Sequence, residues 1–548
     1  MSRATPYITI LLPALALWLT TRESPLAAYF RYGLYLVIFY RVTFPMIEAL
    51  YLWNFVWLKG LAGPKTPSLI FGHMANFYLK ECNSMYNEWE KEFGLVYRIR
   101  SSFNEPMLVL MDPKGVSHVL NNGDKYGRSE ATKQALQAAF PGGLFVKDGE
   151  EHRRQRRPIN TAFTVTAVEE LSDTLFDLAD QMRETWQAEL EGLPSQSDIF
   201  NVSRRIQVLT TDAVSRTGFA YSIADSSGPI SDLLDRLRGL EDNHFTVLLQ
   251  LILNKLPFLV NIPNPATRKW KTLWNELGKV ADDVWENGVV NKGFHSKLLE
   301  AIGQEQRDLA ISNIAGILFA GSETTANIIT ETLHKLSLFP EIQNKLRAEV
   351  VSFREKNGGV ITYEDLCTST TALPYLDAVM KEALRVLTSV PQLSREAQQE
   401  DIIPLEYPIT IDGKTVTEIH IHPGQTIHMP TRDGVNTTPR LWGPTGKQFI
   451  PERWLDGPLP DDALNIRIPG HVLTFGDGNR LCIGRSFAFA EYKIFLSTLI
   501  QHFEFGLSSR EEEKEIVFHL TGPTAKARVK GKEQDGAQLP LTVKWLAT

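Results

Sequence analysis

The sequence predicts a mainly α-helical protein with small β-sheets. Helical periodicity dominates from about Asp148 onward. The longest helix candidate spans residues 309–339, would be about 45 Å long, and ends before Pro340. β-Branched runs with Gly and Pro turns occur between residues 402 and 427 and between 517 and 543. These runs indicate hairpins and short strands beside a helical core.

Composition excludes several classes of protein. The chain has 548 residues without an internal repeat, a long Pro/Ser/Gly linker or a low-complexity block in its soluble part. One large domain over residues 61–548 is therefore expected. The net charge of −7 comes from interspersed acidic and basic residues, which argues against a nucleic-acid partner. The three cysteines are too few for a secreted disulfide framework and fit a reducing compartment.

The first sixty residues predict a membrane anchor. Residues 4–21 (ATPYITILLPALALWLTT) carry no charge and are just long enough to cross a bilayer. Apolar character resumes after Pro25, and no small-residue cleavage site precedes it, so a retained anchor fits better than a cleaved signal peptide. The number of spans stays open, because charged residues interrupt the later apolar stretches. Residues 63–67 (GPKTP) form a stiff hinge, and residues 97–100 and 106–110 then indicate short strands.

A Gly-rich loop at residues 475–484 (FGDGNRLCIG) presents one cysteine, Cys482. A thiolate on such a loop can serve as the axial ligand of a haem iron. Gly478 and Gly484 would let the backbone turn sharply and approach a flat macrocycle, while Arg480 could meet a haem propionate. An isolated Cys-x-Gly would by itself favour a buried, inert cysteine beside a glycine turn.

Residues 320–325 (AGSETT) interrupt the long apolar helix with poor helix formers and one carboxylate. Burying a carboxylate is costly, and these residue types are unfavourable in an apolar helix. Their presence there suggests a functional site. Thr324 is the candidate hydroxyl, and Glu323 is the candidate group for relaying protons. A helix kink with a solvated polar face is the alternative.

Two further charged patterns are weak by themselves. Glu382 and Arg385 are three residues apart, so on a helix they share a face and can pair. His152 and Arg156 share a helical face within the most basic segment, residues 152–157 (HRRQRR). Each pattern is also consistent with a solvated charged surface.

Together these motifs resemble the cytochrome P450 family of haem-thiolate monooxygenases. The cysteine loop follows the pattern F-x-x-G-x-R-x-C-x-G, and residues 320–325 resemble the family's (A/G)-G-x-(D/E)-T-T motif. Glu382 and Arg385 resemble its E-x-x-R pair, and residues 451–454 (PERW) resemble its P-E-R-F element. Trp454 replaces the usual phenylalanine. The resemblance assigns Glu382, Arg385 and Arg453 a structural role behind the haem loop.

The resemblance implies a haem b cofactor, with Cys482 as the ligand of the iron. It further implies that Thr324 and Glu323 serve proton delivery, while other residues contact the haem: Phe475, Gly478, Arg480, Gly484, His152, Arg156 and Arg395. His152 stands where the family commonly has tryptophan. Electrons would come from NADPH through NADPH-cytochrome P450 reductase, with cytochrome b5 as a further donor. The remaining arginines of residues 152–157 would lie outside and dock an acidic electron donor.

The resemblance implies a substrate pocket that is lined by residues 134–144, 231–263, 390–393 and 520–523. Residues 247–260 (VLLQLILNKLPFLV) are apolar, so they are either ordinary core or a substrate entrance that faces a membrane. We therefore expect a lipophilic substrate. The sequence resembles microsomal, fungal-type members that act on terpenoids or other secondary metabolites, which implies the endoplasmic reticulum membrane with a cytosolic catalytic domain.

Two alternatives share the haem. One is a relative with the same fold that isomerises peroxides without using dioxygen, although the intact Glu323-Thr324 pair argues against it. The other is a non-catalytic membrane haem protein for binding or sensing. Other enzyme classes lack a signature here, since there is no Walker loop, dinucleotide-binding glycine fingerprint or zinc spacing.

Overall fold

The computed structural model describes residues 58–546 apart from 83–84, 224–231, 235–243, 254–263, 291–296 and 304–305, with scattered positions between 32 and 51. The expected membrane span at residues 4–21 lies outside the described residues. Within the described part, no helix combines the length and apolar character needed to cross a membrane. The chain divides into two compact units, residues 1–59 and 60–548. The anchor role of the first unit stays a prediction.

Helices dominate the second unit, as the sequence predicts. The described helices are α1 Met74–Leu79, α2 Tyr86–Phe93, α3 Pro113–Asn121, α4 Glu130–Ala139, α5 Gly149–Asn160, α6 Val165–Glu169, α7 Ser172–Glu191, α8 Val202–Phe219, α9 His244–Leu253, α10 Pro265–Val284, α11 Lys297–Gly303, α12 Arg307–Leu338, α13 Pro340–Lys356, α14 Pro374–Val386, α15 Pro439–Trp442, α16 Asp461–Leu464 and α17 Arg485–His502. Short 3₁₀ and π turns connect several of them.

Four small sheets accompany the helices. Their strands are β1 Val96–Arg100, β2 Pro106–Leu110, β3 Tyr126–Gly127, β4 Ser197–Asn201, β5 Gln392–Ala397, β6 Asp401–Ile411, β7 Lys414–Ile421, β8 Thr426–Pro430, β9 Phe503–Leu507, β10 Ile516–Thr521, β11 Thr524–Val529 and β12 Pro540–Trp545. The largest sheet has the order β1-β2-β8-β5-β3 and is antiparallel except between β2 and β8. The others are β4-β12-β9, β10-β11 and β6-β7, whose strands are antiparallel.

Helical structure begins earlier than the sequence predicts. Four helices, α1 to α4, precede Asp148, in a region for which the sequence predicts only two short strands. Two of them have side-chain caps: the Asp112 carboxylate accepts from the Gly115 N–H, and the Ser129 hydroxyl accepts from the Thr132 N–H. These helices have only 6 to 10 residues, so each offers few positions at which a helical period can be recognised. The two predicted strands are confirmed as the β1-β2 pair.

The core is organised around α12, which packs against α8, α10 and α17. Its 32 residues are apolar around most of the circumference, as expected for a helix buried on all sides. The predicted bounds of 309–339 differ from the observed ones by two residues or fewer, and the next helix begins at Pro340. Residues 320–325 therefore lie in the middle of a buried helix.

Candidate active site

The cysteine loop is held by its own backbone. The Cys482 N–H donates to the Phe475 carbonyl at 2.8 Å. Gly478 has φ of +63°, and a Cβ there would collide with the backbone of Leu120, so glycine is required. Gly484 has φ of −87° and caps α17, so the sharp turn expected at this residue does not occur. Backbone freedom thus matters at the first glycine and not at the second.

A cavity of about 510 Å³ brings most of the predicted site residues together. Its wall includes Cys482, Phe475, Gly484, Arg480, His152, Arg156 and Thr324. Cys482 is deeply enclosed by protein, yet its side chain is exposed because it faces this cavity. Gly478 and Arg395 do not line this cavity.

The Cys482 thiol has a perturbed pKa. Burial raises it, and this effect exceeds the opposing effects of the Gly484 N–H and of the nearby Arg156 and Arg485 side chains. The protein alone therefore favours the neutral thiol, and a metal cation would be needed to stabilise the thiolate.

Arginines cluster at one end of the cavity. Arg156, Arg480 and Arg128 line it, while Arg395 lines a small adjoining cavity of about 20 Å³ together with Arg128 and Arg480. Burial, with repulsion from Arg480 and Arg395, lowers the pKa of Arg128 to about 9. Burial, with repulsion from Arg480, lowers the pKa of Arg395 to about 10. Arg480 pairs with Asp148, whose single negative charge does not balance the four arginines, so the cluster favours an anionic ligand.

Arg128 is a functional candidate that the sequence reasoning missed. It follows the two-residue strand β3 and carries no motif around it, so no local pattern signals its role. His152, which was predicted, is buried on α5 beside Arg156. Burial and the neighbouring arginines lower the pKa of His152 to about 4, so its imidazole is neutral at physiological pH.

Thr324 lies on the cavity wall, where its hydroxyl donates to the Ala320 carbonyl at 2.8 Å. Gly321 also lines the cavity, but a Cβ at this position would lie 2.8 Å from the Val214 side chain. The glycine therefore permits the close packing of α8 against α12, in addition to any space it leaves beside the cavity.

Glu323 lies elsewhere, in a second cavity of about 110 Å³. Its carboxylate accepts from the Thr524 hydroxyl at 2.7 Å and pairs with Lys526 at 3.0 Å. Adjacent residues on a helix point about 100° apart, so Thr324 and Glu323 reach different cavities. The structure does not bring the Glu323 carboxylate together with Cys482.

The second cavity also contains parts of the expected substrate pocket. Leu233, Leu234 and residues 521–523 line it, and Leu144 lines the first cavity. The apolar run at 247–260 is described only as far as Leu253, within α9. Residues 254–260 lie outside the described residues.

A buried ionic network lies behind the cysteine loop. Glu382 and Arg385 are both fully buried and pair through two hydrogen bonds of 2.7 and 2.8 Å. Arg385 also donates to the Asn436 carbonyl, and Arg453 lies 3.5 Å from Glu382. The alternative of a solvated surface pair is therefore wrong for this motif.

The geometry and the comparison with known families agree. The sequence matches the cytochrome P450 family over residues 62–530, which is most of the chain.

The chain belongs to the cytochrome P450 family.

Similar proteins come from fungi. Cytochrome P450 monooxygenase claW of Ampulloclitocybe clavipes is 32% identical over 514 residues, with 88% of this chain and 92% of that protein covered. Cytochrome P450 monooxygenase claP of the same organism is 31% identical over 509 residues, with the same shares covered. Cytochrome P450 monooxygenase 128 of Postia placenta (strain ATCC 44394 / Madison 698-R) is 27% identical over 526 residues, with 89% of this chain and 92% of that protein covered.

The family and these relatives support an oxidoreductase of the haem-thiolate monooxygenase type. They favour oxygen insertion over the two alternatives, an isomerase and a non-catalytic haem protein. The residues present fit a haem: a cysteine sulfur faces the cavity, and the excess of buried cationic charge in its wall would suit the two propionates. The same cations that repel one another would be stabilised by these carboxylates.

Proposed function

We propose that this cytochrome P450 inserts one oxygen atom from dioxygen into a lipophilic small molecule, with a terpenoid or another secondary metabolite as the candidate class. One observation carries the proposal: the Cys482 sulfur and the Thr324 hydroxyl line the same cavity. The apolar side chains of Leu144, Phe145 and Ile317 form part of the wall and favour an apolar ligand.

Cys482 would hold the haem iron, and four arginines would hold the propionates: Arg128, Arg156, Arg395 and Arg480. When bound, the haem supplies the redox chemistry that reduces dioxygen with two electrons. His152 is neutral, so it would donate a hydrogen bond to a propionate without adding charge.

Thr324 would steer protons within the cavity, since its hydroxyl can rotate from the Ala320 carbonyl toward a cavity acceptor. Glu323 would bring protons from solvent. Its carboxylate must first leave Lys526, which holds it in the second cavity at 3.0 Å. The ion pair with Lys526 would therefore limit this relay.

Electrons would come from NADPH through NADPH-cytochrome P450 reductase, with cytochrome b5 as a further donor. The exposed side chains of Arg154 and Arg157 on α5 support docking of an acidic partner on the side of the protein that carries this helix. Arg153 is less available, because it pairs with Asp124 and Glu150.

A membrane location in the endoplasmic reticulum, with a cytosolic catalytic unit, would suit a lipophilic substrate. The uncharged run at residues 4–21 supports it. So does the 66% exposure of Phe245 on α9, a helix that packs against α1. Leu69 and Ile70, just before α1, are 73% and 52% exposed. These three side chains are candidates for contact with lipid near the substrate entrance.

A two-part experiment tests the proposal. Purified protein is titrated with terpenoids, steroids, fatty acids and aromatic compounds while the haem absorption spectrum is recorded, to find ligands that bind beside the iron. Ligands that shift the spectrum are then incubated with NADPH, reductase and dioxygen, and oxygenated product is identified by mass spectrometry. Binding without any oxygenated product would contradict the proposal.

A further inference from the structure

Asn436 is a buried amide outside the motifs and the cavities described above. It follows β8 and a short π turn, residues 431–435, and it is 0% exposed. It is not among the residues that line the cavity of Cys482. An asparagine side chain offers a hydrogen-bond acceptor and two N–H donors, and leaving them unpaired in the interior would be costly. The acceptor and both donors are paired here.

Two of these bonds reach the segment just before the cysteine loop. The Asn436 Oδ1 accepts from the Leu473 N–H at 2.7 Å, and its Nδ2 donates to the Thr474 hydroxyl at 3.0 Å. Thr474 precedes Phe475, whose carbonyl accepts from the Cys482 N–H at 2.8 Å. Asn436 therefore fixes the segment that holds the backbone of the cysteine.

The remaining bond ties the same amide to the end of α14. The Asn436 Nδ2 also donates to the Thr388 hydroxyl at 3.0 Å, and Thr388 lies two residues after that helix. Both threonine hydroxyls donate to the Leu384 carbonyl, at 2.9 Å from Thr388 and 2.6 Å from Thr474, so their oxygens can accept from the amide. A carboxylate at position 436 would offer no donor to these oxygens. The surroundings of Asn436 are thus specific for an amide.

The backbone of Asn436 joins the amide to the buried ionic network. Its carbonyl accepts from the Arg385 guanidinium at 2.9 Å, and Arg385 is the partner of Glu382. One residue therefore contacts the ionic network through its backbone and the segment before the cysteine loop through its side chain. A shift of either contact would move the other, because closely packed interiors transmit strain.

We propose that Asn436 is a positioning residue for the iron ligand: its amide holds residues 473–475 so that the amides of the cysteine loop keep their directions toward the Cys482 sulfur. The Gly484 N–H is one such donor, since it forms a hydrogen bond to Cys482. Hydrogen bonds to a thiolate ligand help to set the reduction potential of the iron. The inference rests on the haem-thiolate centre of the proposed function and not on the substrate.

The test uses Asn436→Leu in the full-length, haem-loaded protein, because leucine has nearly the same size and makes no hydrogen bond. The midpoint potential of the ferric–ferrous couple is expected to fall, since a sulfur with poorer hydrogen bonds donates more charge to the iron. Conversion of the red-shifted Soret band of the reduced carbon monoxide complex to an unshifted band is expected to be about 10-fold faster, the lower end of the effects of groups that orient metal ligands. An unchanged potential would overturn the proposal even with faster conversion, because a merely structural role would give faster conversion alone.

Thr437→Val is the matched control. Thr437 is the next residue along the chain and is 2% exposed, and its hydroxyl donates to the Arg432 carbonyl at 2.7 Å, a contact that does not involve the cysteine loop. The variant loses a buried hydrogen bond of the same turn. Its midpoint potential is expected to match that of the wild type, and a fall equal to that of Asn436→Leu would overturn the proposal.

Two variants of Thr474 decide the matter if Asn436→Leu does not retain haem. Thr474→Val removes the hydroxyl that accepts from Asn436 and should lower the potential, whereas Thr474→Ser keeps the hydroxyl and should restore it. A wild-type potential in Thr474→Val would overturn the proposal. Neither measurement uses a substrate, so failure of the proposed oxygenation would appear separately, as the absence of oxygenated product from a wild type with the expected spectrum.

Discussion

The indole N–H of Trp454 donates a hydrogen bond of 2.9 Å to the Glu382 carboxylate. Glu382 is fully buried, and the oxygen that accepts from Trp454 also accepts from Arg385 Nε at 2.8 Å, so Trp454 adds a second donor to that oxygen. A phenylalanine, the family's usual residue here, could not donate this bond. The substitution therefore adds a polar contact to the buried network behind the cysteine loop.

Replacing this indole should lower stability. Trp454→Phe removes one hydrogen bond to a charged acceptor, so we expect a loss of about 1.5–3 kcal/mol in the free energy of unfolding. Glu382→Gln should cost more, about 3–5 kcal/mol, because it leaves Arg385 buried without its counter-charge. Circular dichroism during thermal unfolding measures both. Equal stability of Trp454→Phe and the wild type would contradict the contribution of this bond.

Cys482 should be the iron ligand. In Cys482→Ala, the red-shifted Soret band of the reduced carbon monoxide complex should vanish, because this band requires a thiolate ligand. Cys82→Ser and Cys367→Ser serve as controls and should keep it, since neither residue is among those that line the cavity of Cys482. Persistence of the band in Cys482→Ala would remove the assignment.

Arg128 should contribute to haem retention. Arg128→Gln removes one of the cations at the proposed propionate site, and we expect haem to dissociate about 10-fold faster, equivalent to about 1.4 kcal/mol. Transfer of haem to an apoprotein acceptor, followed by absorbance, measures this rate. Arg154→Gln, an exposed arginine on α5, is the control and should dissociate at the wild-type rate.

Thr324 should control coupling between NADPH oxidation and product formation. Thr324→Ala keeps the helix and the haem but removes the hydroxyl on the cavity wall, so less product should form per NADPH, with more hydrogen peroxide. Thr324→Ser keeps an oxygen at nearly the same place and should retain more coupling. Equal coupling in the wild type and Thr324→Ala would shift the role to Thr325, Glu323 or water.

The first unit should be dispensable for haem binding. Deletion of residues 1–59 removes the separate N-terminal unit and leaves all the residues around the cavity in the second unit. The truncated protein should still incorporate haem and form the same carbon monoxide complex. Failure to incorporate haem would contradict this. Residual binding of the truncated protein to vesicles would not contradict the prediction, because Phe245, Leu69 and Ile70 remain exposed.

Local patterns determined much of this protein. The long apolar run specified α12 to within two residues, and Pro340 marked the start of the next helix. The hairpin β6-β7 turns at Asp412 and Gly413, which both have positive φ, as the Asp-Gly pair predicts. The cysteine loop was also predictable from the sequence. Its glycines and its cysteine lie within a few consecutive residues, and these residue types determine the turn and the chemistry of the loop.

Tertiary structure alone decided how distant side chains meet. Arg128 and Arg395 are far apart in sequence, yet packing brings both beside Arg480, and no local pattern encodes that meeting. Glu323 and Thr324 are adjacent, but the helix turns them toward different cavities, and Lys526 on β11 holds the carboxylate away from Cys482. Which way a side chain faces depends on the neighbours that pack around its helix, and only the folded chain supplies them.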